Sequence, residues 1–391
     1  MTFYQHRGVL PHKRHTVFKK SDGSLYKEQL MGMKGFVGVQ SILYHHNAPT
    51  EFFKSEYVGK FSPEYETQTE LRPRAFFTDI SKVDGGDAIQ SREYILGNDD
   101  LIIGIAEPTK PMDYFYRNSD GDELLFVHYG SGKIETTFGT IFYKDWEYIK
   151  IPIGTIYRIV PDQGIKTKFL VIETTSWITT PKRYRNELGQ YLEHSPFCER
   201  DFFGPDELET HDERGEFEVL TRKHGQMHKH YFKHHPLDVV GWDGNIYPWR
   251  FYILDHEPIT GRIHQPPPVH QTFEGHNFVV CSFVPRLFDY HPDSIPAPYY
   301  HSNIESDEVL YYVDGEFMSR KGVREGSITL HPGGIPHGPH PGKIEESIGA
   351  EKTEELAVMI DTFKPLHVIE SSRYMEDEDY QYSWVEIESM D

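Results

Sequence analysis

From residue 97 to 180 the chain reads as short apolar runs, LIIGIAE, ELLFVHY, KIETTFGTIFY, EYIKIPIG and KFLVIETT, separated by Gly, Asp or Pro. Runs of this length, bounded by turn residues, predict strands rather than helices. The same texture returns from NIYPWRFYIL to LAVMIDTF at 356–363, and helical periodicity is scarce throughout. Residues 1–95 mix short apolar stretches with the turn signals DGS (22–24), HNAPT (46–50) and DGGD (84–87). Residues 181–238 differ: charged, His-rich and poor in β-branched residues, they are expected to form a connecting region wrapped over the core. The tail ends in EDEDYQY and EIESMD, expected to be a solvated acidic surface. The fold class that follows is all-β, with two barrels or sandwiches.

Composition narrows the picture. The 391 residues include 50 Phe or Tyr and 37% hydrophobic residues, enough for a packed interior and too many for wholesale disorder. Gly and Pro, at 32 and 26, suit many turns. A net charge of −21 repels phosphate polymers and anionic lipid, so neither nucleic acid nor membrane is an expected partner. The opening MTFYQHRGVLPHKRH is too polar for a signal peptide, and FVVCSFV (278–284), among the longest apolar runs, fits a buried strand. With only Cys198 and Cys281 there is no disulfide framework, and a cytoplasmic location is expected. The 23 histidines invite a metal search.

That search finds an internal repeat. YFYRNSDGDELLFVHYG (114–130) aligns without gaps on YYHSNIESDEVLYYVDG (299–315), and IPIGTIY (151–157) on HPGGIPH (331–337). The offsets, 185 and 180 residues, differ by a five-residue length change, which points to duplication of one β-barrel unit. The second copy reads His301–x6–Glu308–x6–Gly315, then Gly326–x5–Pro332–x–Gly334–x2–His337. Strands of one small barrel would point His301, Glu308 and His337 inward. Two imidazoles and a carboxylate leave about three open positions on an octahedral metal, the pattern of non-haem Fe(II) oxygenases, although Mn²⁺ also fits. Glu305 and Asp307 compete for the carboxylate role, but the repeat register favours Glu308, and Asp307 alternates to the other face of a strand. The first copy has Tyr116 and Tyr157 in place of the histidines, leaving Glu123 alone: the barrel is kept twice, the ligands once.

The two spacings resemble the two cupin motifs, with HxN for the usual HxH. Together with PHKRHTVFK (11–19), DVVGWDGNIYPWRF (238–251), APYYHSN (297–303) and PHGPH (336–340), the chain resembles the homogentisate 1,2-dioxygenase family over nearly its whole length. The resemblance implies a bicupin with Fe²⁺, commonly hexameric, so a homo-oligomer (trimer or hexamer) is expected. It also implies extradiol-type ring cleavage by O₂ in tyrosine and phenylalanine breakdown, which for homogentisate yields maleylacetoacetate. The domains expected are 1–180, carrying a degenerate barrel without ligands; 181–238, connecting; and 239–391, carrying the metal site and tail. On the family's pattern His301, Glu308 and His337 are the iron ligands and His264 the acid/base near the bound ring, with His270 its competitor. Tyr300, Asn303, His331 and His337 contact the small aromatic substrate or support its pocket, and Tyr299 with Tyr300 are candidates to hold its carboxylate. Two departures stand out: the chain is several tens of residues shorter than well-known members, and Phe317 stands where they tend to carry a tyrosine. Gentisate or another hydroquinone is therefore the rival substrate, and a metal-binding but non-catalytic bicupin the rival class. KHGQMHKHYFKHH (223–235) is expected to be a solvated or interface loop, and GSGK (130–133) a turn rather than a phosphate loop.

Overall fold

In the Glu123–Tyr129 strand Leu124 and Phe126 point to one face and Leu125 and Val127 to the other, and all four are buried. A strand covered on both sides loses the alternation of a half-exposed one and reads as a continuous apolar run. In the computed structural model, which describes residues 3–67, 70–83, 85–315, 317 and 322–385, the reason is a layered arrangement. An eight-stranded sheet, centred on Glu123–Tyr129 and Lys168–Thr174, buries Leu125, Val127, Ile149 and Val171 in a first core, with Ile134, Ile141 and Ile159 of a seven-stranded sheet. Its other face contributes Leu124, Phe126, Tyr148, Leu170 and Ile172 to a larger core. That core is shared with Val280, Val309, Tyr311, Ile328, Leu330, Val358 and Ile360 of a six-stranded sheet.

The all-β, two-barrel expectation therefore holds, and the repeat is visible in three dimensions. The Asp122 carboxylate accepts Ile153 N–H and Ile178 N–H, each at 2.8 Å. Its counterpart Asp307 accepts Gly333 N–H and Leu366 N–H, each at 2.7 Å. Gly130 and Gly315, aligned in the repeat, both have positive φ and lie where a Cβ would strike backbone, 2.6 Å from Lys166 O and 2.5 Å from Glu354 O.

The two barrels exchange strands across the expected boundaries. Arg74–Phe77 extends the six-stranded sheet beside Ser327–His331, while Trp249–Tyr252 and His367–Val368 join the eight-stranded sheet. Nor is 181–238 only a connection. Arg214–Lys223 and Gln226–His234 form a hairpin in the seven-stranded sheet, closed by His224 and Gly225, both at positive φ, as a two-residue hairpin loop requires. The histidine cluster is thus a strand pair, not a loop. Its polar composition hid this because one face is partly open to solvent, where His230 meets Phe52 and His228 meets Tyr57 edge-on. The acidic tail also departs from expectation. Glu376 is buried between Arg72 (3.0 Å) and Arg74 (2.9 Å), a paired charge that tolerates burial, and Tyr380 is buried too. EIESMD lies outside the described residues. Of GSGK, expected to be a turn, Gly130 and Ser131 connect the Glu123–Tyr129 and Gly132–Thr136 strands, while Gly132 and Lys133 already belong to the second. Among the described residues no helix is long and apolar enough to cross a membrane.

Two outcomes follow from this packing. Phe126→Ala opens a cavity in the core both barrels share, and chemical denaturation should show a loss of about 3–5 kcal/mol. His256 is buried against Val269 O (3.0 Å), and burial holds its pKa at about 4. The unfolded chain then binds more protons between about pH 6.5 and 4, so stability is lost as pH falls through that window. Melting temperatures should drop there, and His256→Gln should flatten the slope.

Candidate metal centre

Glu308 sits in the Asp307–Asp314 strand, paired in register with His331 on one side and Asp361 on the other. Alternation sends Val309, Tyr311 and Val313 into the shared core and Glu308 to the opposite face. Asp307, engaged by two backbone N–H groups, is a bracket for the loop and not a ligand, and Glu305 is exposed. His301 and His337 lie outside regular strands and face each other as an isolated bridge, each N–H donating to the other's carbonyl at 2.9 Å. This doublet sets the spacing of the two imidazoles. It depends on the adjoining Gly338, where a Cβ would lie 2.9 Å from Tyr300 Cα and 2.7 Å from its Cδ1.

The three side chains converge: their ligating atoms all lie within 4.8 Å of one another. His301 Nε2 is 3.5 Å from Glu308 Oε2, and His337 Nε2 is 3.4 Å from Glu308 Oε1. Ligands about 2.1 Å from one ion and at right angles would be about 3 Å apart, so small side-chain rotations suffice to hold it. The Nδ1 atoms of both rings face carbonyls, Tyr299 O at 3.1 Å and Ile335 O at 3.3 Å, which leaves each Nε2 lone pair directed inward. His337 Nε2 is buried without a hydrogen-bond partner. Such an atom costs free energy unless something coordinates it, so the residues fit a divalent metal.

Around these three lies a supporting shell. His331, 1% exposed, stacks on His337 at 4.7 Å and bonds Glu308 Oε1 through Nδ1 (2.9 Å) and the Tyr380 hydroxyl through Nε2 (3.2 Å). Burial pushes the Glu308 pKa up, but the neighbouring imidazoles of His301, His331 and His337 outweigh it and hold the carboxyl well below its usual range. Burial, with Glu308 alongside, raises the Asp361 carboxyl to about 7. Trp384 stacks on His340 at 4.4 Å and donates Nε1–H to Gly338 O at 3.0 Å.

The residues expected to meet substrate are dispersed around the rim. The His264 side chain is 62% exposed, 3.4 Å from Asp289, with its ring 5.4 Å from that of Tyr299, itself 6.1 Å from His301. His270, the alternative, is turned into the protein against Phe283 (4.8 Å), and burial drives its pKa far down. Tyr299 and Tyr300 are exposed, Asn303 O accepts Gly334 N–H at 2.7 Å, and the Phe317 ring packs on Tyr312 at 4.7 Å. Sequence reasoning missed Tyr380 and Trp384, whose signal was aromatics, with Tyr382, in an otherwise acidic tail. It also missed Asp361, the single acid in LAVMIDTF, in the place that Glu173 occupies in KFLVIETT.

The corresponding place in the first barrel is filled. Tyr157 donates to Glu123 at 2.6 Å, and Arg92 reaches Glu123 at 2.5 Å and also bonds Glu173.

The family model described as "Homogentisate 1,2-dioxygenase N-terminal" matches residues 56–253, and "Homogentisate 1,2-dioxygenase C-terminal" matches 262–390. A Saccharolobus solfataricus protein named "Putative dioxygenase" is 40% identical over 388 residues, 98% of this chain and 99% of that one. Homogentisate 1,2-dioxygenases of Bradyrhizobium diazoefficiens and Nitrobacter hamburgensis are each 26% identical. Those matches cover 66% and 71% of this chain but only 60% and 64% of those enzymes, less than two thirds of their length. Among solved structures, a cupin 2 conserved barrel domain protein from Leptotrichia buccalis overlaps 80% of this chain and 98% of its own, at 11% identity and a TM-score of 0.32.

Gly338→Ala tests the doublet: pushing Tyr300 away should separate His301 from His337, destabilising the protein by about 1–3 kcal/mol. It should also weaken divalent-metal binding measured by chelator competition.

Proposed function

Because this chain belongs to the homogentisate 1,2-dioxygenase family, we propose that it is an Fe²⁺-dependent ring-cleaving dioxygenase acting on homogentisate, or a closely related para-diphenol, in aromatic amino-acid catabolism. The observation that carries the proposal is the convergence of His301, Glu308 and His337 with one imidazole nitrogen buried and unpartnered. Ferrous iron held there would supply Lewis acidity toward a phenol and electron transfer toward O₂.

The chain's own side chains do the rest. His301, Glu308 and His337 hold the ion, and His331, braced by Tyr380, keeps the Glu308 carboxylate aimed at it. His264, on the same rim as Tyr299, takes the ring hydroxyl's proton and returns it after cleavage, with Asp289 orienting its imidazole. Tyr300 and Asn303 border the substrate. A homo-oligomer, trimer or hexamer, is the proposed assembly, and exposed apolar side chains such as Phe36 and Ile304 are available for subunit contacts. One observation favours a second substrate: Phe317 has no hydroxyl to offer a ring oxygen or carboxylate, which suits a para-diphenol less polar than homogentisate.

Oxygen uptake by the iron-loaded protein with homogentisate, gentisate and substituted hydroquinones decides among these. The expected result is stoichiometric O₂ consumption with one member of the panel, lost in Glu308→Gln and slowed about 10²–10⁴-fold in His264→Asn at unchanged iron content. Iron-loaded protein that consumes no O₂ with any of them would make this a metal-binding bicupin without catalysis.

A further inference from the structure

Asp361 is outside the His301–Glu308–His337 set, yet it directly opposes Glu308 in the ladder between Leu356–Thr362 and Asp307–Asp314. Directly opposed residues leave the sheet on the same face, with Cα atoms about 4.5–5.5 Å apart. Asp361 Oδ1 is buried without a hydrogen-bond partner. Among the described residues no lysine or arginine forms an ion pair with either carboxylate; the ion-pair partners of Glu308 are His301, His331 and His337. Two acids side by side in a protein interior repel each other, a demand that either a cation between them or a proton on one of them meets.

The first barrel shows how this framework meets that demand. Glu173 opposes Glu123 as Asp361 opposes Glu308, and one nitrogen of Arg92 bonds both carboxylates, with Arg222 a second partner to Glu173. Arg92 and Tyr157 crowd the space where the second barrel has its imidazoles. The duplication therefore preserved a pair of opposed acids in both copies and filled the first with a guanidinium.

We propose that Asp361 is a fourth protein group of the metal centre, a positioning residue whose carboxylate faces the cation beside Glu308 and accepts a hydrogen bond from a water or hydroxyl in one of its open positions. Glu308 and Asp361 together bring two negative charges to match a divalent ion. The inference rests on the metal-binding reading above and adds a determinant of affinity to it.

Titration of metal-free protein with Co²⁺ against a chromophoric chelator, with no substrate present, tests it in wild type, Asp361→Asn, Asp361→Glu and Glu308→Gln. The expected result is binding weakened about 10–100-fold in Asp361→Asn and largely restored in Asp361→Glu, which keeps the charge as Glu173 does. Metal-free Asp361→Asn should also melt no lower than metal-free wild type, because it relieves repulsion, but gain less from Co²⁺; a purely structural Asp361 would give a lower melting point without metal. Equal Co²⁺ affinity in wild type and Asp361→Asn overturns the inference and leaves the metal reading intact. Failure of wild type to bind overturns the metal reading itself.

Discussion

A carboxylate buried on the inner face of a barrel is unfavourable unless something of opposite charge or strong hydrogen-bonding capacity meets it. Glu308 is such a carboxylate, and much of the surrounding structure is arranged around that demand. Three imidazoles converge on it. His331 is fixed from behind by Tyr380, and the loops carrying His301 and His337 are locked to each other by a reciprocal backbone bridge. The arrangement satisfies Glu308 only in part, since among the described residues no lysine or arginine pairs with it, and His337 Nε2 has no hydrogen-bond partner. A divalent ion held there would complete both.

The first barrel is the control the molecule carries within itself. The bracket Asp122 repeats Asp307, Gly130 repeats Gly315, and the opposed acids Glu123 and Glu173 repeat Glu308 and Asp361. There the charge is met by Arg92 and Arg222, always protonated and covalently part of the chain, so that barrel is closed to metal and serves as scaffold. Its outer sheet face, with Leu124 and Phe126, is the floor against which the second barrel packs Val309, Tyr311 and Ile360. Strand exchange through Arg74–Phe77 and His367–Val368 ties the two barrels together and leaves Glu308 on the face turned away from the shared core.

Much of this was legible in the chain alone. Strand-length apolar runs and the gapped double repeat determined an all-β duplicated fold, because a side-chain period of two and recurrent turn residues are local properties. Repeat register also separated Glu308 from Asp307, since adjacent strand residues face opposite ways, and the loss of both histidines in the first copy singled out the second as the candidate metal centre.

Other features needed the folded chain. The His-rich 214–234 hairpin, the buried Glu376 and the Tyr380–Trp384 tail read as polar surface because their partners, Phe52, Arg72, His331 and His340, lie far away in sequence. That His264 lies exposed on the rim while His270 turns inward is set by the fold, and both belong to one Pro-rich segment whose composition favours neither. Asp361 is an ordinary strand acid until pairing sets it opposite Glu308. Local pattern decides which elements form and which face a residue takes, whereas what stands across that face depends on strand register and chain return over tens to hundreds of residues, and only tertiary structure decides it.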